Sequence, residues 1–180
     1  MITAKIIADS VHDTRITTFE LEYPRFIHSE LMTHRVFSRN AASSRAIPVK
    51  KMIDLVMDNP AMPTHWGKNE KGMQASKEVE SKELAISAWL RARNYAVMEA
   101  QEMIDFGVHK QVANRLLEPF QHIKVVLTAT EFENFFELRR HKDAQPEIQA
   151  LANAMFDALQ NSTPKQIDIG QWHLPYVTNE

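Results

Sequence analysis

The chain has 180 residues, 44% of them hydrophobic and 24% charged, with a net charge of -2. That length suits one domain with a real core, and the near-neutral balance gives no global attraction to nucleic acid or anionic lipid, so any anion binding has to be local. Cysteine is absent, which excludes disulfides, thiolate metal sites and every mechanism that uses a cysteine nucleophile.

In chain order, Ile2 to Ala8 and the alternating Arg15 to Tyr23 predict two paired strands turning at Val11-His12-Asp13-Thr14. Pro24 is placed to open a helix in which Phe26, Ile27, Leu31, His34 and Arg35 recur at helical spacing. Polar Ser38 to Ser44 is expected to break that helix into a loop. Pro48 to Asn59 reads as a short helix, and Pro60 to Ala75 as an irregular loop whose His65 to Asn69 and Gly72-Met73-Gln74 are rich in side chains that bind. Ser76 to Phe106 carries the longest helical pattern and stops at Gly107. A helical turn or two follows over His109 to Leu117, then a strand over His122 to Thr128. Helices are expected over Glu131 to His141 and Pro146 to Leu159, and an aperiodic tail, Asn161 to Glu180, is expected to wrap the surface. This is an α/β (α+β) chain: a single domain over 1–180, with a small mixed or antiparallel sheet and several long helices.

Two blocks set cations against apolar sequence. In the first, Ile27, Leu31 and His34 stand at i, i+4 and i+7, which would put His34 on a core-facing stripe with Arg35 beside it. Cations at a helix C-terminus complement its dipole, which is one reading. The other is an anion site, because Ser38, Asn40, Ser43 and Arg45 follow as donors in a short segment. In the second block, Phe132, Phe135, Phe136 and Arg139 share one stripe. A guanidinium there needs a partner, since an unpaired buried cation is costly. Either an acid such as Glu147 pairs with it, or a planar ligand stacks on it or is bound bidentately. Arg115 lies between the blocks in a polar-rich helix end before Pro119. The eight histidines lack zinc-ligand spacing, so no metal is expected. There is no phosphate-binding glycine loop of P-loop form.

No apolar run approaches the roughly 20 residues that span a bilayer, and Met1 to Ser10 lacks the basic start and apolar stretch of a secretory signal. A soluble protein of the cytoplasm without a membrane partner is expected. Arg35, Arg39 and Arg45 cluster, but no basic aromatic face accompanies them, which argues against nucleic acid.

At these residues the chain resembles the flavin-dependent thymidylate synthases, the thymidylate synthase complementing proteins, and especially their phage-type members. Their signature R-H-R-x-x-S-x-N-x-x-S-x-R is matched by His34, Arg35, Ser38, Asn40, Ser43 and Arg45, with Thr33 in place of the first arginine. An arginine four residues before a proline matches Arg115 and Pro119. The pattern N-x-x-x-x-L-R followed by A-Q-x-E-I matches Asn134, Leu138-Arg139 and Ala144 to Ile148. The ordered matches spread from Thr33 to Ala152.

The resemblance implies reductive methylation of dUMP to dTMP, with methylenetetrahydrofolate as carbon donor and NADPH-reduced FAD as hydride source, by a homotetramer whose sites draw on several subunits. It implies Arg139 as the catalytic residue against the pyrimidine, with Glu30, Ser43, Ser44, Arg45 and Arg115 also holding the nucleotide. It implies His34, Arg35, Asn40, Thr128, Thr130, Asn134 and Asp143 at FAD. For a phage-encoded chain the compartment is the host cytoplasm. The absence of cysteine fits a family that needs none.

The chain departs from the pattern at Thr33, at Ala41 where a glutamate is usual, at Ala46 where a tyrosine is common, and at Asp143 where a histidine is frequent. The resemblance also implies a strand and helix with a Glu-His pair that the 180 residues do not show, so part of the flavin site is expected to be missing or to come from another chain. Two alternatives therefore accompany the first reading. One is a phage hydroxymethylase or methylase of a pyrimidine deoxynucleotide in the same fold; the other is a silent or split nucleotide-binding subunit.

Overall fold

The computed structural model describes residues 1–71 and 75–177. The Gly72-Met73-Gln74 part of the binding-rich loop lies outside them. The chain divides into two compact units: residues 1–23, 27–42 and 123–180 form the first, and 24–26 and 43–122 the second.

The first unit is built on a five-stranded sheet. Strand β1 (Thr3–Val11) pairs antiparallel with β2 (Arg15–Pro24), Val11 opposite Arg15, with a bulge between Ile6 and Ala8. After a 3-10 turn at Arg25–Ile27 comes the five-residue helix α1 (His28–Met32), and then the edge strand β3 (Ser38–Ala41). Strand β3 pairs antiparallel with β4 (His122–Ala129), Ser38 opposite Thr128 and Asn40 opposite Val126. A two-residue strand, β5 (Lys165–Gln166), runs parallel to β1, giving the order β3-β4-β2-β1-β5. The sheet is therefore mixed.

Alternation along the strands makes one face apolar and the other polar. Phe19, Leu21 and Tyr23 of β2 are fully buried, as are Val125 and Leu127 of β4. They are covered by Phe132 and Phe135 around helix α5 (Glu133–Arg139) and by Ile148, Leu151, Ala152 and Met155 of helix α6 (Pro146–Gln160). Each of the large apolar side chains among them contributes about 1.5–3 kcal/mol of burial. Helix α6 starts where its sequence says it should: Pro146 takes the first turn and the Gln145 side chain accepts from the Ile148 N–H. The opposite face carries Ser38, Asn40, Lys124, Thr128, Thr18, Glu20 and Glu22, tied by a Thr18–Thr128 hydroxyl bond of 2.7 Å and a Lys124–Glu22 pair at 3.7 Å.

The second unit holds helices α2 (Val49–Asp58), α3 (Lys82–Asp105) and α4 (Lys110–Ala113), followed by a 3-10 stretch, Asn114–Phe120. Met52, Val56, Ala100, Leu117 and Phe120 form its core, with Trp89 packed against them. The Trp89 indole N–H donates to the Ala61 carbonyl at 2.9 Å. Helix α3 ends in a Schellman motif: Gly107, at φ 79, donates to Ile104, and Val108 to Met103.

Four sequence expectations are corrected. Pro24 closes β2 instead of opening a helix. Helix α1 stops at Met32, so His34 and Arg35 lie beyond it. A continued helix would give the Leu31 carbonyl to the Arg35 N–H; here the Arg39 guanidinium takes the Leu31 carbonyl at 3.0 Å and the His34 carbonyl at 2.6 Å. Ser38 to Ala41 is a strand, not a loop, because β4 supplies its hydrogen bonds. Helix α3 begins at Lys82 and not Ser76, because Lys77 and Val79 pair with Lys68 and Trp66 of the preceding loop.

Candidate active site

In the first unit the two motifs, 105 residues apart in sequence, meet side chain to side chain. Arg139, in the last turn of α5, donates from Nε to His34 Nε2 at 2.9 Å and from Nη2 to Thr33 Oγ1 at 3.4 Å. Its Nη1 lies 3.7 Å from Glu30 Oε2. The acid beside Arg139 is therefore Glu30, not Glu147. Glu147 is buried and is held by the Gln145 amide. The Arg139 side chain keeps 24% of its surface exposed, enough to offer a planar cation to a ligand while its hydrogen bonds fix the plane.

His34 is 7% exposed although the helix that was expected to bury it has ended. Its ring sits edge-on to Phe135, with centroids 4.9 Å apart, and against Phe37 at 5.9 Å. Burial, then the Arg139 charge, then the Arg39 charge, hold its pKa below the ordinary histidine value. Thr33, which replaces an arginine of the motif, donates its hydroxyl to the Glu30 carbonyl at 2.7 Å and so leaves its oxygen lone pairs toward Arg139.

The residues expected at the flavin are spread along this same unit. Asn40 and Thr128 project from the polar sheet face. Asn40 lines a cavity of about 250 Å³ with Glu20, Ala41, Ala42, Lys124, Val126 and Tyr176. Arg35, Thr130 and Asn134 are exposed, and the Asn134 N–H is bound by Glu131 at 3.2 Å. Asp143 is exposed beside His141, well along the chain from the cavity wall.

The residues expected at the phosphate belong to the second unit. Ser43 caps a 3-10 turn, Ser44–Ala46, its hydroxyl accepting from the Arg45 N–H at 3.3 Å. Arg45 is exposed and Ser44 buried. Arg115 extends into solvent, 56% exposed, with Nη1 2.7 Å from Glu118 Oε1, an acid that also meets Arg25 at 3.1 Å. Asn114, fully buried, donates to the carbonyls of Ser44 at 2.8 Å and Ile47 at 3.0 Å and so locks the Ser43 turn to the stretch that bears Arg115. Sequence reading did not single out Asn114. Its one signal was a position next to Arg115.

The tail carries further residues that pattern reading missed. His173 reaches back to the polar sheet face, 2.8 Å from Thr18 Oγ1 and 3.1 Å from Ser10 Oγ. Tyr176, with φ at 63, donates its hydroxyl to Glu20 at 2.7 Å and walls the Asn40 cavity. No helix among the described residues is long and apolar enough to cross a membrane.

The fold is similar to that of UMP/dUMP methylase PolB from Streptomyces cacaoi. Its crystal structure with 5-Br UMP aligns over 88% of this chain and 88% of that one at a TM-score of 0.71 and 18% identity. The 5-Br dUMP complex aligns over 81% and 65% at 0.62 and 21% identity. Residues 7–165 match the family model of the thymidylate synthase complementing proteins, and the chain belongs to that family. It is 29% identical over 148 residues to the flavin-dependent thymidylate synthase of Aquifex aeolicus, covering 79% of this chain and 45% of that protein. It is 30% identical over 160 residues to that of Sulfolobus acidocaldarius, covering 87% and 54%. The chain spans about half the length of the curated relatives it matches.

Proposed function

We propose that this chain methylates dUMP to dTMP as a flavin-dependent thymidylate synthase. The observation that carries the reading is the meeting of Arg139 with His34 and Thr33, which joins the two family motifs in one half-buried cationic site. The family match and the relatives named flavin-dependent thymidylate synthase support it.

In this reading Arg139 and Glu30 lie against the pyrimidine. The Arg139 guanidinium favours negative charge that develops on the ring carbonyl oxygens. In the second unit, Ser43, Ser44, Arg45 and Arg115 supply hydroxyl, backbone and guanidinium donors of the kind that hold a phosphate. The polar set suits FAD: Asn40 and Asn134 offer amides, Thr128 and Thr130 hydroxyls, Arg35 an exposed cation for a diphosphate, His34 its second ring nitrogen, and Asp143 a carboxylate that accepts. The cavity beside Asn40 takes only part of so large a group, since sites for whole drug-sized ligands run from about 300 to 1,000 Å³. The remainder rests on open surface or on another copy. When bound, the flavin supplies the hydride, with NADPH as reductant and methylenetetrahydrofolate as carbon donor. Helix α3 buries only Ala100 completely and leaves Leu84, Tyr95 and Met98 exposed, which supports assembly of several copies.

The test is tritium release from 5-labelled dUMP with folate, FAD and NADPH. Release at a rate that saturates with dUMP is expected, and none from a folded, flavin-loaded protein overturns the reading. A second reading, hydroxymethylation or methylation of another pyrimidine nucleotide such as dCMP, is favoured by Ala41, which lines the Asn40 cavity where the family resemblance implies a glutamate. Product masses after incubation with dUMP and with dCMP decide between the two.

A further inference from the structure

We infer that His34 is a positioning residue for Arg139, acting as a neutral imidazole with its proton on Nδ1. The inference deepens the nucleotide reading above and rests on it for the identity of the ligand. It begins from hydrogen-bond arithmetic. A guanidinium has donors only, so the 2.9 Å contact between Arg139 Nε and His34 Nε2 requires a lone pair on Nε2. That excludes the imidazolium, which has no lone pair, and the Nε2-H tautomer, which has its proton on the wrong nitrogen.

The surroundings favour this state. His34 is 7% exposed and packed on Phe135 and Phe37. The charged groups that face it are Arg139 from α5 and Arg39 from β3, both cations, and Arg39 donates to the His34 backbone carbonyl. The nearest acid, Glu30, is directed to Arg139 Nη1. Nothing in this arrangement stabilises a charged ring. His34 Nε2 and Thr33 Oγ1 thus accept from Nε and Nη2 of the guanidinium, and Glu30 Oε2 makes an ion pair with Nη1 at 3.7 Å. Two acceptors and one ion pair, on three different nitrogens, set both the plane and its rotation. Protonation of His34 removes the acceptor on Nε and places a cation within hydrogen-bond distance of another, so Arg139 loses its orientation as the ring titrates.

Two measurements test this. The first is the nitrogen-15 spectrum of the His34 ring in the nucleotide-free protein, which needs no assumption about the ligand. The expected signal is the Nδ1-H tautomer at pH 7.5, with titration below the ordinary histidine range; an imidazolium or an Nε2-H tautomer overturns the role. The second is dUMP affinity of wild type, His34→Gln and His34→Ala at pH 7.5 and at a pH below the midpoint of that titration. The glutamine amide oxygen accepts from Arg139 but does not titrate, so His34→Gln is expected to bind about threefold more weakly at pH 7.5, and His34→Ala about tenfold or more. The nucleotide phosphate itself takes up a proton near pH 6. The ratio of wild-type to His34→Gln affinity cancels that change and is expected to fall by roughly fivefold or more once the pH is below the His34 midpoint found in the nitrogen-15 titration. A constant ratio overturns the role while dUMP binding stands. Failure of the wild type to bind dUMP at either pH overturns the nucleotide reading instead, and with it the function assigned to the oriented arginine.

Discussion

The Nε2 atom of His173 lies 2.8 Å from Oγ1 of Thr18, on the polar face of the sheet, while its Nδ1 lies 3.1 Å from Ser10 Oγ. A tail with no periodicity of its own is thereby pinned across β1 and β2, and Tyr176 adds a second anchor at Glu20. Burial holds the His173 pKa below the ordinary histidine value, with the Asp9 carboxylate opposing in part.

A depressed histidine contributes stability that is complete above its unfolded pKa and is lost as pH falls through the folded one. Docking of residues 167–177 is therefore expected to weaken as the pH falls below about 6.5, the ordinary histidine value. The protection factors of that segment in hydrogen exchange, measured against the intrinsic rate at each pH, are expected to fall over this range in the wild type. In His173→Ala they are expected to be low already at pH 7.5 and to show no such step. A segment equally protected at pH 7.5 and below the His173 midpoint contradicts the expectation.

Asp9 ties the end of the β1–β2 hairpin to the end of α6. Burial raises its pKa, but hydrogen bonds from Arg15, Ser162 and Thr17 outweigh that and keep it below the usual carboxylate value. Arg15 binds it bidentately at 2.9 and 2.6 Å and also reaches the Leu159 and Ser162 carbonyls. Asp9→Asn is expected to cost about 1–3 kcal/mol at pH 7, less than a fully buried pair because Arg15 is a third exposed. The Asp9 contribution is present above the unfolded carboxylate pKa and disappears as pH falls through the lower folded value. The wild-type advantage in urea denaturation should therefore shrink below about pH 4.

Asn114 donates to two backbone carbonyls from a fully buried position. Asn114→Ala is expected to lose about 1–3 kcal/mol of stability, and Asn114→Asp more, since a buried carboxylate would face two carbonyl oxygens without a donor. If the turn it fixes holds the phosphate, Asn114→Ala also weakens dUMP binding about threefold or more while leaving deoxyuridine unaffected, a difference calorimetry reads directly. Equal losses for the two ligands would separate Asn114 from phosphate recognition.

Leu151 is fully buried in α6 under the sheet. Leu151→Ala is expected to cost about 2–5 kcal/mol, the range for removing a core leucine side chain. The denaturation midpoint should move with the slope unchanged, as for loss of packing without a change of fold.

Local pattern was enough wherever a segment's own residues satisfied its backbone. The β1–β2 hairpin, α2, α6 and the Gly107 stop of α3 follow alternation, 3.6-residue spacing, a proline at a helix start and a glycine at its end. Ser38-Arg39-Asn40-Ala41 has no strand signal of its own, and it becomes a strand because the edge of β4 lies open to it. His34 kept helical spacing after the helix had ended, so its burial was read correctly from a wrong cause: Phe135 and Phe37 bury it, not its own helix.

The site divides along the same line. The spacing of His34, Arg35, Ser38, Asn40, Ser43 and Arg45, with Arg115 and then Asn134 to Arg139, was enough to suggest the family, because a motif is a property of order along the chain. The partners of those residues were not legible. Arg139 on an apolar stripe demanded an acceptor, and sequence offered Glu147, close by along the chain; the fold supplied His34, Thr33 and Glu30 from a hundred residues away. Asn114, His173 and Tyr176 carried no periodic signal at all. Sequence alone showed the β1–β2 hairpin, α2 and α6, and which cations need partners, since these depend on neighbours within a few residues. Only the tertiary structure decided who those partners are, because a side-chain hydrogen bond reaches about 3 Å in space, whatever the separation along the chain.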